Sequence, residues 1–439
     1  MVRITIREVI KKIPYAKTLG QSLRRKKNRI VNKVYPKLAR VLHHRALIKV
    51  RAKKTPLNVV FMVIHESTWK FDRLYWEMEK SADFNPIILI CPYTLQNKEI
   101  MLRDMEKAYS WYKKRDYQVI SSLNNKEWVD VKSQLKPDLM VFTNPHDLTR
   151  KQYLAKSFIN YLSIYTPYGF PVSKYLNYSA QYNQVSHNTM WKIFTTNQMD
   201  KDIFVKYSNM KGKNVEVSGY PGADDLIDKN YKAKQVWKAQ KVKKKKIIWA
   251  PHHSFEKESP IGWSTFLVFA NFLKNMSTKY SQQVQFSFRP HPLLKDKLYE
   301  HPNWGVEKTN DFYDYWENSE NTQSDMVSYT DLFLTSDAII HDSGSFLAEY
   351  LYVNKPSMYL IADERLEERF SPFGVAALHA YSHGKVEREI EHFIQHDVIN
   401  EDDSMMDKRN DFRKRHLLHD DSQVPSEFIF KYLKESFCL

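Results

Sequence analysis

The sequence predicts an α/β protein: two doubly wound domains facing one another across a cleft, preceded by a basic helical arm. Three observations carry this. At 439 residues the chain is too long for a single ordinary core. After residue 55 short, continuously apolar runs alternate with polar segments compatible with helix, as in an open parallel sheet covered on both faces. The charge also breaks there. Residues 1–55 hold 18 Lys and Arg against one acid, Glu8, whereas the whole chain carries +16, so the body is close to neutral.

In the arm, Leu23, Ile30, Val31, Val34, Leu38, Val41 and Leu42 recur at helical spacing and form one apolar face. Arg24, Arg25, Lys26, Lys27, Arg29, Lys33, Lys37 and Arg40 surround it. Pro36 predicts a kink, and Pro14 and Gly20 separate this helix from a shorter one. An apolar face bordered by cations fits a helix lying in the headgroups of an anionic membrane surface. A basic helix packed on the body is the plainer alternative. Nucleic-acid binding is not expected, because neither zinc-finger spacing nor an aromatic RNA-binding motif accompanies the charge.

The first domain, residues 56–235, opens with the run Val59 to Ile64 and continues through Ile87–Ile90 and Leu139–Phe142. Helices are expected over Leu74–Glu79 and Met101–Lys114, and final strands at Ile193–Thr196 and Val215–Gly219. The second domain, residues 236–439, has strands at Ile247–Ala250, Val284–Phe288, Ala338–His341 and Ser357–Ile361, and helices at Phe266–Met276 and Phe346–Tyr352. The polar segment Asn318–Asp325 reads as a loop.

Several classes are disfavoured. Two distant cysteines, Cys91 and Cys438, rule out a disulfide framework or a Cys-rich zinc site and suit a reducing compartment. No secretory signal is visible. The longest apolar stretches, such as Ile261–Leu273, fall short of the roughly 20 residues of a membrane span. No nucleophilic triad, P-loop or glycosidase carboxylate pair is evident.

Open α/β sheets bind ligands at the carboxyl ends of their strands, and three strand ends of the second domain are densely polar. They are Pro251-His252-His253-Ser254, Arg289-Pro290-His291-Pro292 and His341-Asp342-Ser343-Gly344-Ser345. In the last, Gly344 permits a tight turn, and the hydroxyls of Ser343 and Ser345 with the following helix N-terminus can cradle a phosphate. Asp342 or Ser343 acting only as a helix cap is the competing reading. Arg289 supplies a fixed cation and His291, held between prolines, a titratable donor. For His252 and His253 the plain alternative is hydrogen bonding to local loop carbonyls.

The order of these motifs resembles the CDP-glycerol glycerophosphotransferase family, whose members build teichoic acids and related capsule polymers. The matching stretches are Trp249-Ala250-Pro251, Arg289 to Leu294, Ser336 to Phe346 and Asn354-Lys355-Pro356, with Gly219-Tyr220-Pro221 and Asp224 as the domain-boundary motif. The resemblance implies a GT-B fold of two Rossmann-like domains, with a CDP-polyol donor held by the second domain. It implies a lipid-linked or polymeric envelope acceptor entering from the first domain, and no cofactor or metal. It places Pro251, His252, His253, Asp342, Ser343, Gly344 and Ser345 around the nucleotide and phosphates, and His291 and Arg289 at the reacting pyrophosphate. The implied location is cytoplasmic, at the inner face of the cell membrane. A GT-B glycosyltransferase using a CMP- or UDP-sugar shares the fold and is the alternative.

One position departs from the family pattern. The His-Gly loop credited with a catalytic base is here Thr166-Pro167-Tyr168-Gly169-Phe170, and a phenol with an ordinary pKa near 10 is a poor base at neutral pH. His65, at the end of the first strand, is the substitute candidate alongside His252 and His253, unless it is satisfied within the core.

Overall fold

The computed structural model describes residues 34–54, 56–144, 146–174, 178–255, 262–325, 329–418 and 424–439. The first domain is a seven-stranded parallel sheet: β1 (Leu57–Val63), β2 (Phe84–Ile90), β3 (Val119–Ser121), β4 (Leu139–Phe142), β5 (Leu162–Tyr165), β6 (Lys192–Thr195) and β7 (Val215–Val217), in the order β3-β2-β1-β4-β5-β6-β7. The second sheet contains β8 (Lys245–Ala250), β9 (Val284–Phe288), β10 (Thr322–Ser324), β11 (Ala338–His341), β12 (Ser357–Leu360) and β13 (Ser382–Gly384), in the order β10-β9-β8-β11-β12-β13.

The apolar runs become strands because both of their faces are covered. In β1, Val59, Phe61 and Val63 enter one core layer, while Val60 and Met62 enter the layer on the opposite face. In β8 the same alternation sends Ile247 and Trp249 to one side and Ile248 and Ala250 to the other. Side chains alternate across a strand, so only a strand sandwiched between two helical layers tolerates an unbroken apolar sequence.

Helix α1 (34–51) is the described part of the arm; Leu23, Ile30 and Val31 of the expected apolar face, and the cations from Arg24 to Lys33, lie outside the described residues. Its buried line is Pro36, Ala39, His43 and Val50, and Val50 joins the first domain's core. Val34, Leu38 and Val41 remain exposed on the other side. Helices α2 (Asp72–Lys80) and α3 (Lys98–Lys113) cover the first sheet, and α5 (Phe266–Lys279) covers the second. Between them, α4 (Gln198–Tyr207) follows β6.

Strands β3, β5 and β13 have no counterpart among the expected strands, and three further elements differ from the expected pattern. The segment Asn318–Asp325, read as a loop, contains edge strand β10, paired with β9 only. Thr322-Gln323-Ser324 carries no apolar signal because its buried side chains are polar and hydrogen-bonded: Thr322 donates to Trp316 O and Gln323 to Val236 O. The helix expected over Phe346–Tyr352 is α6 (Phe346–Glu349), which continues as a 3-10 turn over Tyr350–Val353. The final helix α7 (Pro425–Phe437) belongs by packing to the first domain rather than the second. Ile429, Leu433 and Phe437 enter the core that also holds Leu57, Leu74 and Phe84.

The crossing is tied down at the domain-boundary motif. Gly219 has φ +83°, and a Cβ there would lie 2.8 Å from Pro425 Cγ, so both conformation and space demand glycine. Asp224 accepts the Ser426 N–H (3.1 Å). Arg73 of α2 donates to Asp228 and Glu427, joining α2, the boundary segment and α7. Leu433→Ala is expected to cost about 2–5 kcal/mol through the cavity it leaves, measured by urea unfolding. A cost near zero would mean that α7 is not integral to the first domain.

Candidate functional site

Parallel registers bring the three polar strand ends side by side. Ala250 of β8 is level with His341 of β11, and Trp249 with Phe288 of β9. The chains stay paired just beyond the sheet: Arg289 N–H donates to Trp249 O (2.8 Å) and His291 N–H to Pro251 O (2.9 Å). His252, His253 and His291 thereby converge, with ring centroids 4.1–5.0 Å apart.

Asp342 is the tie beneath this cluster. Fully buried, it accepts the His252 N–H, the Thr265 N–H and the Thr265 hydroxyl (2.8 Å). Burial pushes its carboxyl up to about 7, and those same donors act in the opposite direction. It therefore fixes the strand ends. This goes beyond a helix cap, because it joins two strand ends and the start of α5.

Gly344 sits directly over Trp263, where a Cβ would come within 2.1 Å of the indole. Trp263 also packs against His252 (5.6 Å between centroids) and Phe370 (5.5 Å). Ser343 is half-buried and Ser345 exposed, so their hydroxyls flank the turn. The Ser343 N–H is already used, donating to His341 Nδ1 (3.1 Å). The first N–H groups of α6 have no partner within that helix, which leaves a narrower cradle than a long helix would give.

One ring nitrogen from each of His252, His253 and His291 lies within 4.8 Å of the others, a separation compatible with a metal ion. The tautomers favour an anion. His252 Nδ1 accepts the Ser254 N–H (3.3 Å) and His291 Nδ1 the Leu293 N–H (3.1 Å). A nitrogen that accepts carries no proton, so in the neutral ring Nε2 is the donor. The rings are neutral: burial, then the neighbouring histidines, lower His252 to about 2 and His291 to about 4. Two neutral N–H donors beside hydroxyls and a helix N-terminus can hold phosphate oxygens.

Arg289, expected as a fixed cation, is paired with a carboxylate. It is half-buried, donates to Asp325 Oδ1 (3.0 Å), and lies over the rings of Tyr329 (5.7 Å) and Phe346 (6.0 Å). Its charge thus reaches the α6 end of the cradle through a paired guanidinium. From the first domain, Lys70 comes to the same place, 5.1 Å above the Tyr329 ring. Glu349, buried and with its carboxyl raised chiefly by burial, interacts with Tyr329, Tyr220, Lys70 and Arg289. Sequence reading missed Trp263, Thr265, Lys70, Tyr329 and Glu349. Only Glu349, a carboxylate in an otherwise apolar stretch, gave a signal.

Tyr168 does reach the domain boundary. Its carbonyl accepts the Tyr220 hydroxyl (2.9 Å), and Phe170, two residues on, stacks on Phe373 of the second domain (5.4 Å). Ser371 N–H donates to Val172 O (2.7 Å), clamping this loop to the second domain. Desolvation raises the Tyr168 phenol further above its ordinary value, so it stays protonated at neutral pH. His65 is half-buried against Tyr93 (5.1 Å), in the same loop as Lys70. Burial is the largest influence on it and lowers its pKa, so the ring is neutral and can accept a proton.

Two parallel α/β domains facing a cleft, with the polar strand ends of the second turned towards it, define the GT-B class. Residues 168–433 match the model of the CDP-Glycerol:Poly(glycerophosphate) glycerophosphotransferase family, more than half of the chain, and the chain belongs to that family. A curated relative, the teichoic acid ribitol-phosphate polymerase TarK of Staphylococcus aureus, is 22% identical over 257 residues, which cover 56% of this chain and 46% of that protein. The chain thus matches about half the length of that relative. Among solved structures, the wall teichoic acid polymerase TagF has a TM-score of 0.55 at 15% identity, covering 96% of this chain and 98% of that one. A UDP-GlcNAc 2-epimerase from Neisseria meningitidis has a TM-score of 0.53 at 15% identity, covering 87% and 100%. These two likenesses establish the shared fold.

Gly344→Ala must displace the Trp263 ring. It is expected to lower stability by about 1–3 kcal/mol, seen as a lower thermal midpoint. An unchanged midpoint would show that the indole can move aside freely.

Proposed function

We propose that the chain transfers a polyol phosphate, glycerol phosphate first, from a CDP-polyol to a hydroxyl of a membrane-linked or teichoic-acid-like polymer, releasing CMP. The observation that carries this reading is the convergence of His252, His253 and His291 beside the Ser343–Ser345 turn, in a chain of this family. The working location is the cytoplasmic face of the membrane, with residues 1–55 meeting its anionic surface. In line with that, no helix of the described residues is long and apolar enough to cross a membrane.

In the reaction an acceptor oxygen attacks the β-phosphorus. A new P–O bond forms, the bond from the β-phosphorus to the bridging oxygen breaks, and CMP departs with that oxygen. Such a transfer needs positioning and stabilisation of charge more than covalent participation. The Nε2–H groups of His252 and His291 would donate to the pyrophosphate, with Arg289 and Lys70 adding positive charge. Asp342, Gly344 and Pro251 position these groups. The hydroxyl proton would pass to His65, the neutral imidazole in the first-domain loop that also carries Lys70. Tyr168, protonated, would serve as a donor to the acceptor.

His291→Ala is expected to lower CMP release from CDP-glycerol, with an envelope lipid extract as acceptor, by at least about a hundredfold, the scale of losing a donor at developing charge. Near-normal turnover would overturn the assignment, and release only from a UDP- or CMP-sugar would make the protein a glycosyltransferase.

The pH profile separates the two bases. With His65, kcat/KM falls on the acid side, below about pH 6.5, and does not rise at alkaline pH, because its lowered pKa leaves it neutral above that range. With a Tyr168 phenolate, whose pKa is raised, the rate would keep climbing past about pH 10. An alkaline climb that survives in His65→Asn and disappears in Tyr168→Phe would exclude His65.

A further inference from the structure

A second anion site lies away from the cleft. Between α1 and the segments leading into β6 and β7 runs a groove made of two adjoining cavities of about 300 and 440 Å³, which share Arg40, Met210 and Lys213. It sits at the amino ends of β6 and β7, whereas the His252–His291 cluster sits at carboxyl ends of strands. The two sites therefore lie at opposite strand ends.

Lys37, Arg40, Lys211 and Lys213 line the groove, and no acidic residue does. None of these four cations has a carboxylate partner among the described residues. Concentrated, uncompensated cations around a concavity raise the local concentration of anions. At the floor, His43 is only 5% exposed, and its Nε2 has no hydrogen-bond partner. Buried polar atoms are normally satisfied, and this one is available to an atom entering the groove.

We infer that this groove binds the phosphate headgroup of an anionic phospholipid. The argument for a lipid is the rest of α1. Beyond the row of Lys37, Arg40 and His44, one helical stripe exposes Val34, Leu38, Val41 and Ile48, at 52%, 45%, 53% and 56%. A free phosphate or a polyol-phosphate polymer would neutralise the cations and leave this stripe in water. A phospholipid covers both, with phosphate in the groove and acyl chains against the stripe. Residues 1–33 add eleven Lys and Arg to the same arm. The inference rests on the reading that residues 1–55 meet an anionic membrane, and it adds a defined headgroup site on the folded body.

The test uses the full chain and vesicles of phosphatidylcholine with or without phosphatidylglycerol. Arg40→Gln/Lys213→Gln is expected to weaken binding to phosphatidylglycerol vesicles about tenfold or more, at about 1 kcal/mol per cation, with turnover of CDP-glycerol unchanged. Lys17→Gln/Arg24→Gln, the same charge loss in the arm, should weaken it less. Equal loss in both double variants would overturn the groove site and leave the membrane reading standing. No vesicle binding by the unaltered chain would overturn both. A soluble polyol-phosphate oligomer that competes with vesicles at the groove, while Leu38→Asp/Val41→Asp leaves vesicle binding unchanged, would reassign the groove to the polymer.

Discussion

One buried carboxylate organises the second domain's strand ends. Asp342 leaves β11 and accepts from the start of the β8 loop, at His252, and from the start of α5, at Thr265. An acid with no exposure is tolerated only when donors surround it, and the cost of leaving them unpaired fixes the relative position of two strands and a helix. The histidine cluster follows from this tie. His252 is held by its own N–H, His291 by a bond to Pro251 O, and the rings meet because their backbones have no alternative position. Trp263, packed between Gly344 and His252, fills the remaining space.

The cleft depends on a different set of contacts. The loop after β5 leaves the first domain and pairs with the second around Val172 and Ser371, and α7 makes the return crossing to pack beside α2. Tyr220 lies between, fully buried, with its hydroxyl on Tyr168 O. Lys70 lies over the Tyr329 ring, and the Glu349 carboxyl interacts with the same tyrosine. Any ligand that adds a phosphate near Arg289 and Lys70 would alter this balance, since Arg289 already shares its charge with Asp325.

The apolar strands were legible because local sequence alone decides them. Leu139–Phe142, Val284–Phe288 and Ala338–His341 have the bounds expected, since an unbroken apolar run between polar segments has few other stable fates. The three polar strand ends were legible too, as motifs that interrupt such runs. Edge strand β10 was not, because its side chains are satisfied by hydrogen bonds to distant carbonyls and leave no pattern in the sequence. The destination of α7 was equally hidden: Ile429, Leu433 and Phe437 make the same amphipathic face whichever domain receives it.

The sequence by itself determined the α/β class, nine of the thirteen strands of the two sheets and the family motifs, because burial on two faces and tight turns write directly into residue type. Tertiary structure alone decided the chemistry of each site residue. Whether Arg289 is a free or a paired cation depends on Asp325, 36 positions away. Which nitrogen of His252 or His291 carries the proton depends on a backbone N–H two residues on that only the folded turn aims at the ring. His65 is neutral through burial, and Tyr168 is kept protonated in the same way. Charge state and tautomer are properties of an environment, and the environment exists only once the chain has folded.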